Sequence, residues 1–109
     1  MIEIGGAVGT FGVLAISRGW EYVDYDISEV AVQFATRLGL DAKSFEVDAL
    51  PPLPVQSADV CVMWEVIEHV WNIHEYLCEI HKALVPSGAL LLSTPNFLKK
   101  GYREAIAKP

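Results

Sequence analysis

The apolar residues of this chain fall in short blocks, each closed by an acid, a glycine or a turn and most followed by a helix-length segment. The blocks are residues 1–4, 20–26, 44–47, 60–64 and 89–93. They are apolar through most of their length rather than alternating, which is the pattern of strands covered on both faces. Strands of that kind, interleaved with helices, build a parallel sheet between two helical layers. The first helix is predicted over residues 10–18, with Gly19 just past its end. Ser28 caps a second helix, whose stripe of Val30, Ala31, Phe34, Ala35 and Leu38 stops at Gly39. Asn72 followed by Glu75 has the spacing of a capping box. It opens a third helix with Ile73, Tyr76, Leu77, Ile80, Ala83 and Leu84 on one face, ending before Pro86-Ser87-Gly88. Residues 48–59 contain Pro51, Pro52 and Pro54, so this connection crosses between strands as extended chain.

Composition narrows the function classes. A chain of 109 residues holds one domain, and a hydrophobic fraction of 52% with 20% charged residues excludes disorder as a description of the whole. No apolar run reaches the ~18 residues of a membrane span, so no membrane partner is expected. Residues 1–6 lack the layout of a secretory leader. Cys61 and Cys78 form no CxxC pair and no disulfide framework, which points to a reducing, cytoplasmic setting. A net charge of −6 argues against a body that grips nucleic acid. Four of the eight basic residues, Lys99, Lys100, Arg103 and Lys108, form a basic tail within residues 97–109.

In an open parallel sheet, ligands bind at the carboxyl ends of the strands. Those ends carry Glu3 and the turn Gly5-Gly6-Ala7-Val8-Gly9, then Asp24 and Asp26, Asp48-Ala49, Trp64-Glu65, and Thr94-Pro95-Asn96. Glycines let a ligand approach the backbone, and the following helix directs free N–H groups toward it. A dinucleotide fingerprint GxGxxG fails at Ala7 and Thr10, and an ordinary strand-to-helix turn explains the glycines equally well. Asp26 is either a ligand contact or a helix-entry residue shared with Ser28; Glu3 is either a ligand contact or an edge charge; Asp24 reads as structural. Asp48 either caps a turn or contacts a ligand. Glu65, Glu68 and His69 share one face if they open a helix. His69 then serves as a general base, or the three hold a divalent cation, or they are a polar helix start. His74 and His81 read as surface residues, Trp71 and Tyr76 as packing residues, and the cysteines as small core residues.

Taken in order, these segments resemble the class I S-adenosylmethionine-dependent methyltransferases, most of all the group of the ubiquinone-biosynthesis O-methyltransferases. Glu3-Ile4-Gly5-Gly6-Ala7-Val8-Gly9-Thr10 is similar to that family's acid-x-Gly-x-Gly-x-Gly motif, with Ala7 in place of the middle glycine. Val23-Asp24-Tyr25-Asp26-Ile27-Ser28, Val47-Asp48-Ala49-Leu50-Pro51, the run from Ser57 to Val70 and the run from Leu84 to Asn96 match its later motifs. The resemblance implies a Rossmann-like three-layer α/β sandwich with a mainly parallel sheet in the order 3-2-1-4-5, lacking the last two of the usual seven strands. It implies a partial core over residues 1–96 and, in 97–109, the start of a missing C-terminal part. The edge left at strand five then favours self-association. S-adenosyl-L-methionine is the implied cofactor, held by Glu3, Gly5, Gly6, Ala7, Gly9, Asp26, Ile27, Asp48, Ala49, Trp64 and Glu65. His69 is the implied base toward a small-molecule acceptor methylated at oxygen. Two alternatives stand beside this. One is a metal-assisted RNA 2′-O-methyltransferase, although no histidine follows His81 to complete its metal site, and no metal ligands are assigned. The other is a non-catalytic fragment that binds the cofactor. Ala7 is expected to be tolerated if the backbone there keeps an ordinary dihedral, since it adds only a methyl group.

Overall fold

Five strands hydrogen-bond side by side in the order β3-β2-β1-β4-β5, and every neighbouring pair is parallel. The computed structural model describes residues 1–96. The basic tail at 97–109 lies outside the described residues. In chain order the elements are β1 (Ile2–Ile4), α1 (Thr10–Ser17), β2 (Val23–Asp26), α2 (Glu29–Arg37), β3 (Asp41–Ser44), β4 (Ala58–Trp64), a single 3-10 turn (Ile67–His69), α3 (Ile73–Ala83) and β5 (Leu84–Ser93). This is the Rossmann-like α/β arrangement expected from the sequence, with strand order 3-2-1-4-5.

The pleat sorts side chains onto two different faces. Ile2, Ile4, Tyr25, Cys61 and Met63 point to the side where Tyr76, Ile80 and Ala83 of α3 and Leu53 of the proline-rich crossing pack against them. The other side carries a smaller cluster of Ala15, Tyr22, Ala35 and Leu40 beneath α1 and α2. Glu3, Asp24 and Asp26 are the buried charged residues on this second face.

Several boundaries differ from expectation for local reasons. The third strand spans Asp41–Ser44, not residues 44–47. Gly39 closes α2 in the left-handed region (φ 84) and Leu40 drops at once into the core, so the chain joins the sheet immediately. Only Phe45 N–H, donating to Asp26 O at 3.2 Å, prolongs the ladder. The second strand is shorter than the aromatic block, starting at Val23. The fifth strand begins directly at the end of α3 and absorbs Pro86-Ser87-Gly88. The register shifts there between Ala58 and Val60, with Ser87 at φ 70, a bulge that an edge strand tolerates. Ser28 Oγ accepts from Ala31 N–H as expected. Asn72 instead donates its side-chain amide to Glu75 Oε2 at 2.7 Å and caps no backbone N–H, so the capping box does not form. Cys61 is buried, whereas Cys78 is exposed on α3 rather than part of the core. No helix among the described residues is long and apolar enough to cross a membrane.

The condition for an unstrained alanine at position 7 is not met: Ala7 sits in the left-handed region at φ 50. A Cβ there crowds the following carbonyl, which costs roughly 1–2 kcal/mol, while a glycine costs part of that back in chain entropy. Ala7→Gly is therefore expected to stabilise the fold by about 0.5–1 kcal/mol in a denaturant titration. A lower midpoint would show that the alanine methyl packs favourably.

Candidate functional site

The turn after β1 is fixed by its own backbone polar groups. Gly5 N–H donates to Tyr25 O at 2.8 Å and Gly9 N–H to Gly6 O at 3.0 Å. Two carboxylates of β2 hold the next amides. Gly6 N–H donates to Asp24 Oδ1 at 2.9 Å, and Ala7 N–H to Asp26 Oδ2 at 3.0 Å. Asp26 Oδ1 also accepts Ser28 N–H at 2.8 Å at the entry of α2. Glycine is required at two of these places. At Gly5 (φ 77) a Cβ would stand 2.6 Å from Val66 Cγ2, and at Gly6 it would stand 2.6 Å from the Asp24 carboxyl group.

Beside this turn, at the carboxyl ends of the strands, a cavity encloses about 430 Å³. Ile4, Tyr25 and Tyr76 line it, together with the apolar side chains of Ile27, Phe45 and Val47. Val66, Val70, Trp71 and Asn72 also line it, as do Asp26, Asp48, Glu65 and His69. Of the residues singled out from sequence, Gly5, Asp26, Ile27, Asp48, Glu65 and His69 are brought together here. Ala49 lines an adjoining depression with Ile27, Phe45 and Val47.

Glu3, Gly6, Ala7, Gly9 and Trp64 do not line the cavity. Gly6 and Ala7 shape it through the amides described above, and Gly9 stands at the N-cap of α1. Trp64 packs edge-on against Phe11 with ring centroids 5.4 Å apart, its indole N–H buried without a partner. Glu3 lies behind the turn at 2% exposure and accepts a hydrogen bond from the Tyr22 hydroxyl.

The segment after β4 is not the helical face anticipated for Glu65, Glu68 and His69. Glu65 takes a left-handed conformation (φ 57), and only Ile67–His69 turn, as 3-10 helix. Each acid instead clasps the end of β5. Ser93 Oγ donates to Glu65 Oε1 at 2.9 Å and Thr94 Oγ1 to Glu68 Oε2 at 3.3 Å. His69 Nε2 lies 4.0 Å from Glu68 Oε1. Among the described residues no three His, Cys, Asp or Glu side chains converge to hold a cation. Trp71 does not pack as expected: it is 98% exposed on the cavity rim. Tyr76 is buried and lines the cavity.

Sequence reasoning passed over Tyr22, Phe45, Val47, Val66, Val70 and Asn72. Tyr22 was detectable, because it lies two residues before Asp24 and so shares its face. The others lie in irregular segments, where no periodicity indicates direction.

The sequence profile of the family described as "Methyltransferase domain" matches residues 1–106. The chain belongs to the methyltransferase domain family. It is similar to a probable S-adenosylmethionine-dependent methyltransferase of Mycolicibacterium smegmatis, 39% identical over 74 residues, covering 68% of this chain and 28% of that protein. A ubiquinone biosynthesis O-methyltransferase of Rickettsia bellii is 43% identical over 44 residues, which cover 40% of this chain and 18% of that protein. The likeness to the ubiquinone group thus rests on the shorter of the two stretches. In fold, the domain matches the crystal structure of an S-adenosylmethionine-dependent methyltransferase from Mesorhizobium loti with a TM-score of 0.79 at 24% identity, over 85% of this chain and 45% of that one. This methyltransferase domain therefore matches less than half the length of each of these relatives.

Burial raises the Glu3 carboxyl from its ordinary 4.5 to about 7; the Tyr22 hydrogen bond opposes this, while Asp24 and Asp26 add to it. Burial likewise raises Asp24 from 3.8 to about 6, against the Gly6 amide. It also raises the Tyr22 hydroxyl. A carboxyl group raised on folding binds more protons in the folded state, so stability falls as pH increases. The contribution is complete below the unfolded values and is lost as pH passes through about 7. The wild-type melting temperature is expected to fall between about pH 5 and about pH 8, and Glu3→Gln to flatten that slope. Parallel profiles for the two proteins would contradict the assignment.

Proposed function

We propose that this methyltransferase domain binds S-adenosyl-L-methionine in the cavity beside the glycine turn and transfers its methyl group to an oxygen atom of a small-molecule acceptor. The observation that carries the reading is the convergence of three carboxylates and apolar side chains on one cavity at the strand ends. Its size falls in the range of about 300–1,000 Å³ usual for small-ligand sites. Each carboxylate oxygen of Asp26 accepts one backbone N–H and keeps further lone-pair capacity for the hydroxyls of a ribose. Ile27, Phe45 and Val47 offer an apolar surface to a flat heterocycle, with Asp48 beside them as an acceptor for an amino group. Glu65, held by Ser93 on the cavity lining, would take the amino-acid end.

The cofactor, when bound, supplies an activated methyl group on a positive sulfur. The protein's task is then to hold two reactants in line, which is where most of the rate gain of such a reaction arises. His69, on the cavity lining beyond Glu65, removes the acceptor's hydroxyl proton. Glu68, steadied by Thr94, lies 4.0 Å from that imidazole. The Rickettsia relative, an O-methyltransferase by name, supports oxygen as the acceptor atom.

Asp26→Ala is expected to weaken S-adenosylhomocysteine binding about 10–100-fold, the loss of a charge-assisted hydrogen bond. Calorimetric titration measures it, and unaltered affinity would remove Asp26 from the cofactor site. His69→Ala is expected to lower kcat by about 10²–10⁴ while leaving that affinity unchanged. Full turnover by the variant would return His69 to a rim residue without chemical duty.

A further inference from the structure

We propose that Glu3 and Asp24 act as one proton-sharing acid pair that distinguishes the sulfonium form of the cofactor from its neutral thioether product. The inference rests on the cofactor reading above and assigns a role to two side chains that do not touch the cavity.

The geometry is that of a like-charge pair with no counter-ion side chain among the described residues. Glu3 and Asp24 are register partners on adjacent parallel strands, so their side chains stand side by side on the same face. They are 2% and 0% exposed. Tyr22 donates to Glu3, Gly6 N–H donates to Asp24 Oδ1, and Asp24 Oδ2 is buried with no partner. Among the described residues, the elements packed around them bring no cationic side chain, and the Met1 ammonium at the start of the same segment donates to Glu21 O. β4 offers Val62 opposite Glu3, and β3 offers Ala42 opposite Asp24. β2 adds Asp26, whose charge opposes ionisation of Glu3, while the hydroxyl of Tyr22 in the preceding segment donates to Glu3 and partly favours it. α1 (Thr10–Ser17) has no ionisable side chain, and on α2 Glu29 and Arg37 are exposed.

Two carboxylates so placed cannot both ionise cheaply, and their protons titrate as a property of the pair. Burial first, then the charge of Asp24 on Glu3 and that of Asp26 on both, raise the two carboxyl groups toward neutrality. The pair lies directly behind the turn that walls the cavity: Ile4 and Gly5, the next residues after Glu3, line it, and Asp24 holds Gly6. A cation in the cavity favours the ionised pair, and a neutral ligand does not. Binding of the sulfonium form therefore expels a proton from the pair to solvent. Once the methyl group has left and the sulfur is neutral, the pair takes a proton back from solvent, and the advantage held by the donor is lost to the product.

The test compares the two ligands, whose amino-acid and nucleoside parts are the same. Calorimetry of the wild-type chain near pH 6.5, in buffers of different ionisation enthalpy, is expected to show proton release on binding S-adenosylmethionine in excess of that for S-adenosylhomocysteine. A one-unit shift of the pair corresponds to about a tenfold tightening for S-adenosylmethionine between about pH 5.5 and about pH 7.5, against less than about twofold for the thioether. Glu3→Gln and Asp24→Asn, each shown by melting to be folded, are expected to bring the two pH slopes together. Equal proton release for both ligands in the wild type would overturn the pair's role while leaving the cofactor reading intact. Binding of neither ligand would overturn the cofactor reading and the inference with it.

Discussion

The fold's functional end hangs on the attachment of one loop to one strand. Asp24 and Asp26 project from the same face of β2 and take up the amides of Gly6 and Ala7, two donors the sheet ladder does not satisfy. Buried N–H groups without acceptors are costly, so these carboxylates determine where the turn lies and hence where α1 starts. The same contacts explain why Gly6 has no room for a side chain and why Ala7 accepts a strained conformation. Asp26 also caps the entry to α2, so a single carboxylate fastens two successive crossings and still reaches the cavity.

From that attachment follows a division of labour between the faces of the sheet. The face under α3 is apolar and close-packed, the larger of the two cores, with Met63, Cys61 and Ile80 almost fully excluded from water. The face under α1 gives up part of its apolar burial to three acids and a tyrosine. A core of that composition is less stabilising than a hydrocarbon one, because each buried polar group must recover its hydration through specific bonds. Glu3 recovers it from Tyr22, Asp26 from two amides, and Asp24 only in part.

Much of this was legible in the chain. Apolar blocks alternating with helical stripes imply a parallel sheet, and the motif order implies its strand order. Ser28 as a cap and Gly19 and Gly39 as terminators follow from side-chain and backbone chemistry alone. The misplacements share a cause. β3 is an edge strand with little burial, so its residues Asp41 to Ser44 carry no apolar signature, whereas Phe45 and Val47 do and lie beyond it. Glu65 to His69 have helical spacing but a left-handed residue and a 3-10 turn, because Ser93 and Thr94 draw the two acids toward β5. Such tertiary bonds leave no periodic trace. For the same reason the Tyr22 contact to Glu3, between residues nineteen apart, is visible only once the strands are paired.

The bulge in β5 has a consequence for how this domain behaves in a crowded solution. Among the described residues β5 is an outer strand of ten residues, with Leu91 and Leu92 each nearly half exposed on opposite faces. A straight edge of that length is a template on which other chains can stack by backbone hydrogen bonding. Pro86 lacks the N–H such stacking needs, and Ser87 turns the backbone out of line. The edge is thereby divided into a stub at Leu84-Val85 and a run from Ala89 to Ser93, so a foreign strand finds a short track instead of a continuous one.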